Sequence, residues 1–115
     1  LMNQFMFDPE LAAIAVLHDV IEDSSLNIEY FKLERYSQRV IDALDLLTHK
    51  DGDSYEEYIA KISTNYDAIR VKRKDIEHNS DVTRLKRVKD NDLKRIEKYH
   101  KAFLQLGEAL NLILK

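Results

Sequence analysis

An uninterrupted apolar run, Leu11–Leu17, constrains the fold of this chain more than any other feature of its sequence. If the run is helical, the helix has no polar face, so we expect it to be buried rather than amphipathic. The run leads directly into His18 and Asp19, and Glu22 and Asp23 follow one helical turn later. Helical spacing therefore predicts that His18 lies beside Glu22 and Asp19 beside Asp23.

Three carboxylates and an imidazole next to a core need positive compensation, because an unpaired buried charge is unstable. A divalent metal ion would supply it, since His and Asp are hard to borderline ligands for such cations. The alternative is a helix end that emerges into solvent with ordinary surface acids. The pattern alone does not separate these two interpretations.

The composition indicates one helical domain over residues 1–115. A chain of 115 residues fits a single domain with its own core. Its 44% hydrophobic and 34% charged residues suit a soluble helical protein, and two glycines with one proline leave little room for a turn-rich all-β fold. We therefore predict an all-α fold, a single compact multi-helix domain.

Charge and residue usage also limit the partners. The net charge of −3 argues against binding to a nucleic-acid polymer. The absence of cysteine excludes disulfides, a thiolate nucleophile and a cysteine-based zinc site. The longest apolar run is too short to span a bilayer, and no complete secretory signal is present. We expect a cytoplasmic protein without a membrane partner, and homo-oligomerisation stays open.

Capping residues divide the chain into helices. Asp8 and Pro9 predict the start of a first helix that ends at Glu22–Asp23. Gly52 suits the positive φ of a turn over 49–53. Further helices are expected over Ile28–Arg35, after Ser37, after Ser54, after Asn65, and from Asn91 or Asp92. Their inward faces are predicted to carry Val40, Ile41, Leu44 and Leu47, then Tyr55, Tyr58, Ile59 and Ile62, and finally Leu93, Ile96, Tyr99, Phe103 and Leu106.

The segment 15–24, which contains His18-Asp19, resembles the signature of the HD metal-dependent phosphohydrolases. More narrowly, its His-Asp-x-x-Glu-Asp pattern is similar to the hydrolase domain of the RelA/SpoT family, which removes pyrophosphate from the alarmone (p)ppGpp. The block 71–79 resembles a later helix of that family, with a Lys, an Asp and a His-Asn pair in the same order. Segment 54–62 looks like the intervening helix, so the resemblance covers roughly residues 10 to 85.

The resemblance implies an HD-type domain with a metal site formed by His18, Asp19 and Asp75. Asp75 would close the site from a second helix, as in other helical metalloproteins. Because Asp75 follows a basic stretch, 70–74, the alternative for it is a surface salt bridge. The implied cofactor is a divalent metal, Mn²⁺ first, with Mg²⁺ or another transition metal as alternatives.

The resemblance also implies the catalytic and substrate-binding residues. Glu22 and Asp23 would be the catalytic acid pair, because a carboxylate near a metal-activated water can orient it or take its proton. Lys72 and Asn79 would contact a phosphorylated nucleotide substrate. The alternatives are a solvated helix end for the acids, a solvated basic face for Lys72 and a helix cap for Asn79.

The chain departs from the family at two places. No histidine precedes His18, where the family has a further metal ligand, and the chain begins at Leu1, so we expect that an N-terminal segment is missing. Ile76 and Glu77 stand where the alarmone hydrolases have Arg-Leu, and Ser80 begins a different continuation. The second departure leaves Asp75 in place and bears on the substrate.

The expected function is therefore a metal-dependent phosphohydrolase that removes the 3′-pyrophosphate from (p)ppGpp-like guanosine nucleotides. One alternative is an HD nucleotidase or phosphodiesterase with another substrate. The other is a catalytically degenerate HD module that binds a nucleotide or a partner protein. The missing histidine favours the degenerate module, whereas retention of Glu22 and Asp23 favours an enzyme.

Overall fold

The computed structural model describes residues 8–23, 36–80 and 85–114. These residues form five α-helices and include no strand, which confirms the all-α prediction. The helices are α1 (Pro9–Asp23), α2 (Gln38–Leu47), α3 (Tyr55–Ile62), α4 (Tyr66–Asn79) and α5 (Asp90–Leu114). The helix predicted over Ile28–Arg35 lies outside the described residues.

Local capping chemistry sets most of the helix starts where the sequence predicts them. A side-chain oxygen accepts a hydrogen bond from the backbone N–H three residues later, at distances from 2.9 Å at Asn65 to 3.4 Å at Ser37. The residues that cap in this way are Asp8, Ser37, Ser54 and Asn65. Gly52 has a φ of 90° in the predicted turn. The four predicted starts are confirmed.

The last helix begins at Asp90, slightly earlier than predicted. The Leu93 N–H donates to the Lys89 carbonyl at 3.1 Å, so the first helical turn closes on Lys89. The Asp92 carboxylate accepts from the Lys89 N–H at 3.0 Å. Asp92 therefore reaches back from inside the first turn, as the acid of a capping box does, rather than standing before the helix.

Helix α1 is buried along one side and not all round, which corrects the expectation of a fully buried helix. Leu11, Ile14 and Ala15 belong to the core, but Val16 and Val20 are exposed. The reason is that the described contacts of α1 are with α2 and α4. An apolar helix surface can stay in part exposed, because proteins lack enough polar surface to cover themselves.

The inward stripe of α2 is confirmed in full, and that of α3 is buried except for Tyr55, which is half-buried. In α5 the prediction is wrong for Leu93, which is 56% exposed. Ala102 and Leu106 mark the buried face of α5. At about 100° per residue, Leu93 lies on the side of the helix opposite Ala102. The residues of the predicted stripe therefore do not all lie on one face of the helix over its full length.

An arginine joins the first turns of α1 and α4. The Arg39 guanidinium donates to both carboxylate oxygens of Asp8, with the shorter contact at 2.7 Å. It also donates to both oxygens of Asp67, at 2.8 and 2.9 Å. Asp8 caps α1 and Asp67 lies in the first turn of α4. These two helices therefore start side by side.

Further along, the same two helices bring His18 and Asp75 together. Helices that meet both near their starts and near their ends run in the same direction. Each site residue lies about 12 to 15 Å beyond the Arg39 cluster, at about 1.5 Å rise per residue. None of the described helices has the length and apolar character needed to cross a bilayer.

Candidate metal centre

His18, Glu22 and Asp75 form a compact group of donors on two helices. One ligand atom from each residue lies within 4.8 Å of the other two. The separation of His18 Nε2 from Glu22 Oε1 is 3.1 Å. Two nitrogen or oxygen ligands on opposite sides of a metal ion are about 4.0 to 4.4 Å apart, twice a usual bond length. The group therefore needs only small side-chain movements to hold one ion.

The His18 imidazole is fully buried and lacks a hydrogen bond to the described residues. Its exposed fraction is 0%, and neither ring nitrogen has a hydrogen-bond partner among the described parts of the chain. Nε2 is close to Glu22 Oε1, but the direction of approach does not make a hydrogen bond. Buried polar atoms in proteins normally have partners. A metal ion on one ring nitrogen would provide such a partner.

Glu22 lies at the solvent edge of the group. Its side chain is 49% exposed, whereas His18 beside it is buried. The polar contact with His18 holds the pKa of Glu22 below its usual range, and the charge of Lys72 acts in the same direction, against the effect of burial. One oxygen of Glu22 therefore contacts the imidazole, and the exposed part of the carboxylate can contact a ligand that arrives from solvent.

Asp75 is the centre of a hydrogen-bonded cluster on α4. Its Oδ2 accepts from Lys72 Nζ at 3.1 Å, and its Oδ1 accepts from Asn79 Nδ2 at 3.1 Å. Asp75 and Lys72 are both buried, so the alternative of a surface salt bridge does not describe Asp75. Asn79 is the last residue of α4, and the cap position is Ser80. The structure thus brings Lys72, Asp75 and Asn79 together with His18.

Asp19 lies next to the donor group and is not a member of it. Burial raises the pKa of Asp19, the charges of Asp75 and Glu22 raise it further, and His18 opposes them. Asp19 is rotated by about 100° from His18 around the helix, and Glu22 by only about 40°. Glu22 therefore lies on nearly the same side of α1 as His18 and belongs to the donor group, while ligation by Asp19 stays a prediction.

Asp23 is the last described residue of α1, and its side chain lies outside the described part of the structure. Its assignment to a catalytic acid pair therefore stays a prediction. The metal ion itself is likewise a prediction from the donor group.

Two tyrosines of α3, Tyr55 and Tyr58, border the site, and the sequence predicts both on the inward face of that helix. The Tyr58 hydroxyl donates to the Leu47 carbonyl at 2.6 Å, and Lys72 Nζ lies 5.2 Å from the centre of the Tyr58 ring. Burial raises the pKa of Tyr58, and the charges of Glu22 and Asp75 add to this effect. Burial also raises the pKa of Tyr55, which feels the charges of Tyr99 and Asp75. The spacing of Tyr55 and Tyr58 on the inward face of α3 is the sequence feature from which their position beside the site could be predicted.

The charges of the described site favour a divalent cation. The three carboxylates of Asp19, Glu22 and Asp75 face one ammonium group, that of Lys72, so in the ionised state two negative charges remain. Carboxylate oxygens suit Mg²⁺ and Mn²⁺, and an imidazole nitrogen suits Zn²⁺, Fe²⁺ and Ni²⁺, so the mixed donor set is compatible with several divalent ions. No protein-family model matches the chain, and no curated protein matches its sequence significantly.

Proposed function

We propose that this chain is a divalent-metal-dependent phosphohydrolase that acts on a phosphorylated nucleotide. The observation that carries the proposal is the approach of His18, Glu22 and Asp75 to within 4.8 Å from two helices. The resemblance to HD phosphohydrolases, and within them to RelA/SpoT-type hydrolases, points to a (p)ppGpp-like guanosine nucleotide whose 3′-pyrophosphate is transferred to water, with the ribose 3′-oxygen as the leaving group. Mn²⁺ is the proposed cofactor.

His18, Glu22 and Asp75 would hold the ion, with Asp19 beside them. A divalent ion supplies a Lewis acid for phosphoryl oxygens and lowers the pKa of a bound water. The exposed edge of Glu22 would orient the attacking water and accept its proton, the role of a general base. Glu22 is available for this because about half of its side chain, 49%, is exposed to solvent.

Lys72 and Asn79 would have separate roles around Asp75. The Lys72 ammonium would bind a phosphoryl oxygen, since charge-assisted hydrogen bonds are strong at a site shielded from water. The Asn79 amide, which donates to Asp75 Oδ1, would fix the carboxylate so that its other oxygen is presented to the ion.

The test compares two aspartate-to-asparagine variants of the full-length protein. Pyrophosphate release from (p)ppGpp would be measured with and without Mn²⁺ for wild type, Asp75→Asn and Asp45→Asn. Asp45 is an exposed acid paired with Lys50 at 2.9 Å, so it controls for the loss of one carboxylate. We expect Mn²⁺-dependent release that the Asp75 variant loses and the Asp45 variant retains. No release from folded wild type with Mn²⁺ would contradict the alarmone activity.

Two other functions would give different results in this assay. Mn²⁺-dependent phosphate release from other nucleotides, without release from (p)ppGpp, would identify a nucleotidase or phosphodiesterase. The degenerate binding module is favoured by one observation, that His18 is the only histidine in the described donor group. Nucleotide binding without turnover would support that function.

A further inference from the structure

Lys72 differs from the other lysines of the described structure in being buried, with 8% of its surface exposed. Lysine is almost never buried unless it is paired. Its Nζ donates to Asp75 Oδ2 at 3.1 Å and lies 5.2 Å from the centre of the Tyr58 ring. The carboxylate neutralises the ammonium, and the aromatic face adds a weaker attraction. The contacts with Asp75 and Tyr58 therefore hold Lys72 inside the site.

The ammonium neutralises the same carboxylates that a metal ion would use. Asp75 is the direct partner of the Lys72 ammonium, and the charge of Lys72 also helps to lower the pKa of Glu22. We propose that Lys72 is the internal counter-ion of the metal-free site and competes with a divalent ion for Asp75. This inference rests on the metal site of the proposed function and assigns Lys72 a second role within it.

The competition follows from the charges involved. An ammonium and a divalent ion on the same carboxylate repel each other strongly at a buried site. Lysine can relieve this repulsion, because its charge sits on a flexible four-carbon stem. Entry of the ion would move Nζ away from Asp75 Oδ2. The released ammonium then stands near the ion without a partner, where an anionic phosphoryl oxygen can replace the carboxylate.

Metal and phosphate binding should therefore be coupled. A ligand that pairs with the released ammonium removes a penalty on metal binding, and by linkage the metal must strengthen binding of that ligand equally. Inorganic pyrophosphate, a product of the proposed reaction, is the probe for this coupling. The Lys72→Met variant should lose the coupling even where it still binds the metal.

The test is a Mn²⁺ titration by calorimetry of wild type, Lys72→Met and Lys74→Met. Lys74 is two positions away and is paired with Glu77 at 3.2 Å on an exposed face, so its variant makes the same charge change outside the site. Methionine keeps an unbranched apolar stem. We expect Lys72→Met to bind Mn²⁺ at least about tenfold more tightly than wild type, since one repelling charge is removed. Lys74→Met should bind like wild type.

The outcomes separate this proposal from the metal site itself. If wild type binds Mn²⁺ and a His18→Ala variant does not, the site is correct; equal or weaker binding by Lys72→Met would then overturn only the counter-ion role. If neither wild type nor Lys72→Met binds Mn²⁺, both the metal site and the counter-ion role fail.

A measurement on wild type covers the case in which Lys72→Met does not fold. Acylation of lysines by an amine-reactive reagent would be quantified by peptide mass spectrometry with and without Mn²⁺. Lys72 should be protected in the metal-free protein and become several-fold more reactive with Mn²⁺, while Lys74 stays unchanged. Unchanged reactivity of Lys72 at saturating Mn²⁺ would overturn the proposal.

Discussion

Replacing His18 by leucine should stabilise the metal-free protein and abolish its response to metal. The imidazole is fully buried, and its two ring nitrogens have no hydrogen-bond partner in the described structure. A buried polar group without a partner costs about 1–3 kcal/mol. Leucine has a similar volume, so it removes this penalty without leaving a large cavity.

The lost contact with Glu22 offsets only part of that gain. Because the Glu22 side chain is 49% exposed, we discount the contact for solvent screening to about 0–1 kcal/mol. The net expectation is a free energy of unfolding about 0–3 kcal/mol higher than wild type without metal. With Mn²⁺ the order should reverse, since a ligand at 100 times its Kd stabilises the folded wild type by about 2.7 kcal/mol.

Urea unfolding followed by circular dichroism, in EDTA and in Mn²⁺, measures both effects. His100→Leu is the matched control, because His100 is an exposed histidine of α5 outside the donor group. That variant should keep the wild-type response to Mn²⁺. The reasoning is refuted if His18→Leu lowers metal-free stability by more than about 1 kcal/mol, as a satisfied core histidine would, or if Mn²⁺ still stabilises it.

Two further variants test the packing that positions the site. Arg39→Met should lower the free energy of unfolding at pH 7 by about 1–2 kcal/mol through its contact with Asp67, discounted for the exposed guanidinium. Arg39 holds the pKa of Asp67 below its usual range, so the stability from this ion pair is fully present above the unfolded-state pKa of about 3.9 and is lost as the pH falls through the folded pKa. In urea unfolding from pH 7 to pH 2, the difference in stability between wild type and Arg39→Met should shrink. A difference that stays constant would contradict the ion pair. Tyr58→Phe removes the hydroxyl that donates to the buried Leu47 carbonyl, so the free energy of unfolding should fall by about 1–3 kcal/mol in the same assay. Wild-type stability of this variant would show that the carbonyl finds another donor.

The fold could be predicted from the sequence where local chemistry decides the structure. Ser37, Ser54 and Asn65 cap their helices through neighbours three residues away, and such contacts are readable from the sequence. The inward face of α5 was less predictable. The stripe predicted for α5 includes Leu93, but because the stripe rotates slightly with each turn, Leu93 lies on the opposite side of the helix from the buried face. Only the packing of α3 and α4 against α5 fixes that buried face.

The site shows the same division between local and tertiary information. The contact of His18 with Glu22 follows from one helical turn, and that of Lys72 with Asp75 follows from a spacing of three. The approach of Asp75 to His18 depends on how α1 and α4 pack, and the resemblance to HD phosphohydrolases was needed to expect it. That resemblance implies Asp19 as a ligand, whereas the donor group of the described residues contains Glu22.

The shared direction of α1 and α4 has an electrostatic consequence of its own. Both helices start at the Arg39 cluster, so the carboxyl ends of both point toward the site. The peptide dipoles of each helix sum to about half a negative charge at its carboxyl end. The backbone thus favours a cation there before any side chain ionises. A free phosphate meets the opposite field, so we expect it to bind only weakly until a metal ion has entered.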